Sequence, residues 1–361
     1  MKRSENKFYV VMTYRDIHSV NVGDYVQSIA AKSFVEDSTH SQIVYHNRDE
    51  LREYTGPEAK IIMNGWFTYK PDNFPPSSRL HPLFISFHLN GSFIGDLLSR
   101  DDVIDYLKGH EPIGCRDTKT VELLQARGIN AYFSGCLTLT IGTTNTFCIR
   151  RARSKIVFVD PVSYMPHGNS VKEVLSTSFK LIRHYKQIIR VYKKLKANSP
   201  VKFSFSKVGI GRFLLLTESY MLAENILSHD VLESAEWYTH LYTTHELGSD
   251  EDRFDYAYHL LQIYASAKFI LTSRIHCALP SLGLETPVIL LRKQEDELKS
   301  SDRLGGIGEF FNTIWYRGSD PINLDDKITF EEIEKLRNPS AFRPFRDRLI
   351  QRVRAFLFEN E

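Results

Sequence analysis

Long apolar runs are missing from this chain: no uninterrupted stretch of its 361 residues approaches the ~18 needed to span a bilayer. The opening MKRSENKFYVVMTYRD places basic residues before an apolar run too short for a signal-peptide core, so that run reads as a first buried strand. Cysteine is scarce: Cys115, Cys136, Cys148 and Cys277 form no CxxC pair. That pattern argues against a disulfide framework and a structural zinc, and it suits a reducing compartment. An excess of one charge is absent too. The formal net charge of +2 removes the global signature of a nucleic-acid binder. There is no fixed-period repeat, no low-complexity segment and no GxGxxG dinucleotide fingerprint. These absences predict a cytoplasmic protein with no membrane span, no metal site and no nucleic-acid partner.

What is present is an α/β pattern. The length exceeds one typical core and predicts two domains. Apolar runs at 8–14, 60–63, 83–87, 112–115 and 130–133 read as strands. Between them, Asn21-Val22-Gly23-Asp24 reads as a turn, and Val26, Ile29, Ala30 and Phe34 carry helical spacing. Another helix, with Val121, Leu123 and Leu124 apolar, closes at Gly128 as a C′ glycine. A second unit starts near Ile156, with runs at 156–159, 269–272 and 287–291. Ser249 followed by Asp250, Glu251 and Asp252 reads as an N-cap with acids in the first turn of a helix over 254–267. Strands alternating with helices predict parallel sheets covered on both faces. The expected division is an N-terminal domain over 1–150, a C-terminal domain over 151–330, and a helical tail over 331–361 that packs back across both.

From 174 to 217 the chain has no Asp or Glu. Lys180, Arg183, Lys186, Arg190, Lys193, Lys194 and Lys196 interleave there with Phe179, Ile182, Tyr185, Ile189, Tyr192 and Leu195, which predicts a basic amphipathic helix over 179–196. It reads either as a solvated helix with one buried face or as a peripheral contact with anionic lipid or a polyanionic substrate.

Ser273-Arg274-Ile275-His276 carries the strongest local signal. It falls where a strand ends and a helix begins, the place where open α/β sheets bind ligands. Arg274 and His276, two apart, point the same way in an extended turn. A permanent cation then sits beside a group that gives or takes a proton near neutral pH. An anion that is protonated during reaction needs both. Other positions read two ways. Gly23 and Asp24 bring a helix N-terminus to a ligand or make an ordinary turn. Arg116-Asp117, closing a strand, binds an anion or braces a helix. His88, also at a strand end, is a site residue or a satisfied structural histidine. His240 and the His245-Glu246 pair are second-rank candidates for proton transfer.

Four segments together resemble the polysaccharide pyruvyl transferase family: NVGDYVQSIAA from Asn21, IIMNGWF from Ile61, IGCRDTKTVELLQARGINAYFSGCLTLT from Ile113, and SRIHCALPSLGLETPVI from Ser273. The likeness runs from about residue 8 to about 320 and is weakest between Asn145 and Tyr238. The resemblance implies two Rossmann-like domains in a glycosyltransferase-B-like pair, with the active site in the inter-domain cleft. It implies transfer of a pyruvyl group from phosphoenolpyruvate to two hydroxyls of a sugar, giving a ketal in surface polysaccharide, with no cofactor beyond the donor substrate. The family's last arginine and histidine match Arg274 and His276, and the arginine closing its N-domain strand matches Arg116. Where many members carry Asp-Pro after the next strand, this chain has Gly135-Cys136-Leu137, so no role for that aspartate carries over.

On this reading Arg274 and His276 are catalytic. Ser273, Arg274, Cys277, His245 and Glu246 face the donor, and Gly23, Asp24, Gln27, Asn64, His88 and Arg116 face the acceptor. A lipid-linked acceptor would bring the basic helix to the inner membrane face. A nucleotide-sugar glycosyltransferase of the same architecture is the alternative activity, and a sugar-binding or assembly protein without catalysis is the third.

Overall fold

Strands and helices alternate along the chain in the computed structural model, which describes residues 8–14, 19–38, 41–67, 70–89, 94–144, 147, 153–162, 171–204, 206–294 and 304–358. Cys148 lies outside the described residues. The first half holds β1 (Phe8–Thr13), β2 (Ser19–Asn21), β3 (Gln42–Asn47), β4 (Ala59–Met63), β5 (Leu80–Phe84), β6 (Ile113–Cys115) and β7 (Ala131–Phe133). Its helices are α1 (Val22–Ser38), α2 (Ile94–Leu98), α3 (Asp101–Lys108) and α4 (Thr118–Gln125). The second half holds β8 (Lys155–Val159), β9 (Glu236–Tyr238), β10 (Leu241–Thr243), β11 (Ala267–Thr272), β12 (Val288–Lys293), β13 (Asn312–Arg317) and β14 (Asp320–Pro321). Its helices are α5 (Val171–Arg183), α6 (Tyr185–Ala197), α7 (Lys207–Ile226), α8 (His229–Ser234), α9 (Asp250–Ser266) and α10 (Ile275–Gly283), followed by α11 (Phe330–Lys335) and α12 (Arg343–Phe358).

The first sheet runs β3-β1-β4-β5, all parallel. The parallel pair β6-β7 continues it through a bridge from Phe87 to Cys115. The second sheet runs β14-β13-β12-β11-β8-β9, parallel except for β14. In each sheet the first strand in chain order lies between the second and the third strand of that sheet. Connections leave it in opposite directions, and the crevice that opens at its carboxyl end is where such sheets bind ligands. That crevice lies beside Thr13 and Met63 in one sheet and beside Val159 and Thr272 in the other.

The two sheets share one hydrophobic core. A cluster of buried residues runs from Tyr9, Ile61 and Phe87 through Tyr242, Tyr264 and Leu282 to Leu357. A second cluster, with Phe158, Ile188, Leu222, Trp237 and Leu291, belongs to the second half. α12 returns to the first sheet, where Tyr9 Oη donates to the Leu357 carbonyl at 3.3 Å. Capping at Ser249 holds as expected: its hydroxyl accepts from Asp252 N, and the Asp252 carboxylate accepts from Ser249 N. Gly128 has the positive φ of 70° that a closing glycine needs.

Several elements differ from expectation. Residues 21–24 are no turn: Asn21 ends β2 and α1 begins at Val22. The strand expected at 83–87 ends at Phe84, because Ser86 takes a left-handed φ of 58° and breaks the ladder. The basic helix is two, α5 and α6, separated at His184, whose φ of −115° and ψ of 24° are not helical. β3 and β13 were not expected as strands. Both mix exposed or half-exposed positions with buried ones, so neither shows a continuous apolar run.

Candidate functional site

β8 and β11 run side by side with Val159 opposite Thr272, so their carboxyl ends deliver Asp160 and Ser273-Arg274 to one place. Thr272 Oγ1 donates to the Val159 carbonyl at 2.7 Å and accepts from Arg274 N at 2.9 Å. Ser273 Oγ donates to the Asp160 carbonyl at 2.7 Å. The junction is therefore tied by hydroxyls before any charge is considered. Arg274 Nε then donates to Asp160 Oδ2 at 2.9 Å, and the same oxygen accepts from His240 N at 2.9 Å. Asp160 takes a φ of 39°, a left-handed conformation uncommon outside glycine. The carboxylate anchors the guanidinium at its Nε through a charge-assisted hydrogen bond.

His240, beside this pair, is buried to 1% exposure, and its Nε2 lies 2.7 Å from Tyr264 Oη. Burial lowers its pKa to about 4, with Arg274 adding to the effect and Asp160 opposing it. The ring is neutral at pH 7. Its folded pKa lies below the ordinary 6.5, so the unfolded chain takes up a proton that the folded chain refuses. Stability should decline as pH falls from 6.5 to about 4 and level off below. His240→Gln should flatten that decline in thermal unfolding followed across the window. Parallel curves for the two proteins would contradict it.

His276 occupies the first turn of α10 and is 7% exposed. It meets the first turn of α1. A Cβ placed on Gly23 would fall 3.0 Å from His276 Cβ and 3.1 Å from its Nδ1. Gly23 is thus required by close approach rather than by a tight turn. Two further contacts hold α1 there. β2 pairs antiparallel with β10, Asn21 opposite Leu241, and Val22 N donates to the His240 carbonyl at 3.1 Å. The amino ends of α1 and α10 meet, and both bring backbone N–H groups and a positive dipole end.

The first sheet contributes a second group of polar side chains. Gln27 Nε2 donates to Asp24 Oδ1 at 3.1 Å, and Asn64 Nδ2 donates to the Gln27 carbonyl at 2.9 Å. Asn64 Oδ1 is buried with no protein partner among the described residues. Gly23, Asp24, Gln27 and Asn64 are therefore neighbours. His88 and Arg116 lie farther along the same strand ends. His88 Nδ1 is 2.5 Å from Asp117 Oδ2, and Arg116 N donates to the Phe87 carbonyl. Asp117 also caps α4, its Oδ1 accepting from Thr120 N at 2.9 Å. Of the two readings of Arg116-Asp117, the helix brace is filled by Asp117, leaving Arg116 with its own buried position, 5% exposed.

Three expected donor residues are placed elsewhere. Glu246 binds Arg212 at 2.6 Å, along with Ser204 and Thr243, and does not join the Asp160–Arg274 pair. His245, adjacent to it, is exposed. Cys277 faces the core; burial pushes its thiol up to about 12, so it stays protonated. Two residues not singled out join the clusters. Asp160 follows directly on the apolar run at 156–159, and nothing in that run marks it as a site residue. Arg48, 7% exposed, pairs with Asp49 at 3.0 Å and lies over the rings of Tyr14 and Trp66 at the end of β3. The missing signal was β3 itself. Among the described residues no group of three or more His, Cys, Asp or Glu could hold a metal ion, and no helix is long and apolar enough to cross a membrane.

Comparison with known proteins agrees with the resemblance seen in the sequence. The sequence model of the family described as Polysaccharide pyruvyl transferase matches residues 21–292, which takes in both polar clusters. No curated protein matches the chain. A crystal structure of a functionally uncharacterized protein from Klebsiella pneumoniae subsp. pneumoniae aligns with 86% of this chain and 92% of its own, at 11% identity and a TM-score of 0.42. At that score the likeness carries no argument.

Proposed function

The chain belongs to the polysaccharide pyruvyl transferase family, and from that premise we propose that it moves a pyruvyl group from phosphoenolpyruvate to two hydroxyls of one sugar residue, forming a pyruvate ketal in a surface polysaccharide. The observation that carries the reading is the contact of His276 with Gly23, two residues from the Arg274–Asp160 pair. It joins a proton donor, a fixed guanidinium and two helix amino ends, which suits a donor bearing phosphate and carboxylate.

In this scheme His276, as imidazolium, protonates the methylene carbon of phosphoenolpyruvate. The neighbouring carbon becomes oxocarbenium-like, and a sugar hydroxyl adds to it and loses its proton. Phosphate leaves with the C–O bond electrons, and the second hydroxyl adds to the oxocarbenium carbon left behind, closing the ketal and losing its proton; of the two hydroxyl protons one returns to the His276 imidazole and the other ends on phosphate. Arg274, held by Asp160, positions the donor anion. Asp24, Gln27, Asn64, His88 and Arg116 offer hydrogen bonds to the sugar from the first sheet. No cofactor or metal takes part. The architecture assigned to this chemistry is two Rossmann-like domains, over 1–150 and 151–330, in the glycosyltransferase-B manner, with the tail from 331 across them.

The test supplies phosphoenolpyruvate with a panel of sugar acceptors and follows phosphate release together with the mass gained by the acceptor. Stabilisation by phosphoenolpyruvate and not by sugar nucleotides supports the reading; stabilisation by a sugar nucleotide alone would transfer it to glycosyl transfer. Gly23→Ala should fold yet lower kcat by roughly tenfold to a hundredfold, because the new methyl displaces the His276 ring and misplaced groups lose rate steeply. A Gly23→Ala enzyme with native kcat would show that the contact does not position the acid.

A further inference from the structure

α5 and α6 present an outer face on which the usual order of burial is reversed. Leu175, Phe179 and Ile182 on α5 are 64%, 67% and 72% exposed, and Tyr185 and Ile189 on α6 are 54% and 38% exposed. The spacing of 175, 179 and 182 puts three of them on one side of α5. Lys180 turns the other way. Its Nζ lies 2.7 Å from Glu218 Oε2 on α7, whose other oxygen accepts from Thr177 Oγ1. α5 therefore meets α7 partly through polar groups, with Leu181 packed inward, and shows Leu175, Phe179 and Ile182 outward. Single exposed apolar residues are ordinary on a protein surface, but a continuous strip of large ones marks a contact site.

The cations sort in the same way. Arg190 pairs with Glu233, and Lys194 reaches the Glu233 and Ala235 carbonyls. Arg183, Lys186 and Lys193 are exposed beside the apolar strip. Ile188, Val191 and Leu195 supply the buried side of α6. From 174 to 217 there are ten Lys and Arg and no acid at all.

We propose that this face docks on a membrane surface rich in anionic lipid. Leu175, Phe179, Ile182, Tyr185 and Ile189 enter the headgroup region, and Arg183, Lys186 and Lys193 meet lipid phosphates. Charge selects the occupant. A second copy bringing the same face would oppose cation to cation, since 174–217 carries no acid and the nearby Glu233 is already taken by Arg190. Neither apolar strip nor charge alone binds strongly; together they give the two signals that interfacial docking requires. The inference is independent of the transferase reading, since vesicle binding needs neither donor nor acceptor.

The experiment floats the full chain with vesicles of phosphatidylcholine alone and with vesicles containing phosphatidylglycerol, at low and high salt. The expected result is partition onto the anionic vesicles only, reduced by salt. Phe179→Ser with Ile182→Ser should abolish it, and Lys186→Ala and Lys193→Ala should each weaken it about fivefold. The lysines are exposed, so their effect stands even if the apolar double variant folds poorly. Binding that ignores anionic lipid, or that both sets of variants leave unchanged, would overturn the proposal. So would a shift from dimer to monomer on Phe179→Ser, which would assign the face to a second copy of the chain.

Discussion

His276→Ala is expected to lower kcat for phosphate release by about 10²–10⁴-fold, the range that a positioned general acid supplies. Protonating carbon is the hard step in the proposed sequence, and alanine offers no proton. The donor's KM should change far less, because in the proposed scheme Arg274 still holds the anion. The unfolding midpoint should remain near that of the parent, since the lost ring leaves its contact with Gly23 at the meeting of α1 and α10 and not in the centre of the core. Arg274→Lys gives the complementary result. Charge is kept, but the planar fork and the Nε bond to Asp160 are lost. The expected effect falls mainly on the donor's KM. Steady-state rates over a range of phosphoenolpyruvate separate the two. Native kcat in His276→Ala would remove the acid from the scheme.

Glu246→Ala should cause the largest loss of stability, about 3–5 kcal/mol, because it strands a buried guanidinium. The Arg212 and Glu246 side chains are 3% and 2% exposed, joined at 2.6 Å. Burial alone would raise the Glu246 carboxyl, yet Arg212 and the N–H groups of Thr243 and Ser204 outweigh it and hold it below the usual range. Removing it frees those donors as well. Arg212 would keep its Nε bond to the Leu241 carbonyl and its place over the Phe203 ring, so the variant should fold, with a lower midpoint in urea. A double variant, Arg212→Met with Glu246→Leu, should recover much of the loss. The same protein also separates a structural Glu246 from one that touches the donor. Below its unfolding temperature Glu246→Ala should bind phosphoenolpyruvate as the parent does. A weakened KM with unchanged stability would assign Glu246 to the donor instead.

Strands buried on both faces were legible, because β1, β4, β8 and β11 are nearly continuous apolar runs. So was the start of α9, where local side chains satisfy the first N–H groups. The junction of β11 with α10 was readable from the apolar run of β11 and the polar residues that follow it, although α10 has no side-chain cap. What escaped was decided by partners distant in sequence. Asp160 lies 114 residues from Arg274, and nothing near either one announces the pair. Gly23 looked like a turn glycine because strand–glycine–helix is a common local pattern; the true constraint is the His276 ring in the first turn of α10. β3 has half-exposed positions and so lacked the run that gave the others away, and Arg48 went unseen with it. A basic helical stretch was legible in composition, but not its division at His184 nor the inward turn of Lys180, which depends on Glu218 on α7.

The pairing of β2 with β10 has a consequence for how the chain could be divided. Ser19–Asn21 and Leu241–Thr243 complete each other's edge, and Val22, the first residue of α1, hangs on the His240 carbonyl. A fragment carrying only the first sheet would have Gly23 with nothing to approach, and one carrying only the second would have His276 without its wall. Each would also bare an unpaired strand edge that invites association. The reactive geometry is therefore a property of the junction. Two separately made halves should be inert alone and recover together, with the short β2–β10 ribbon acting as the seam along which they find each other.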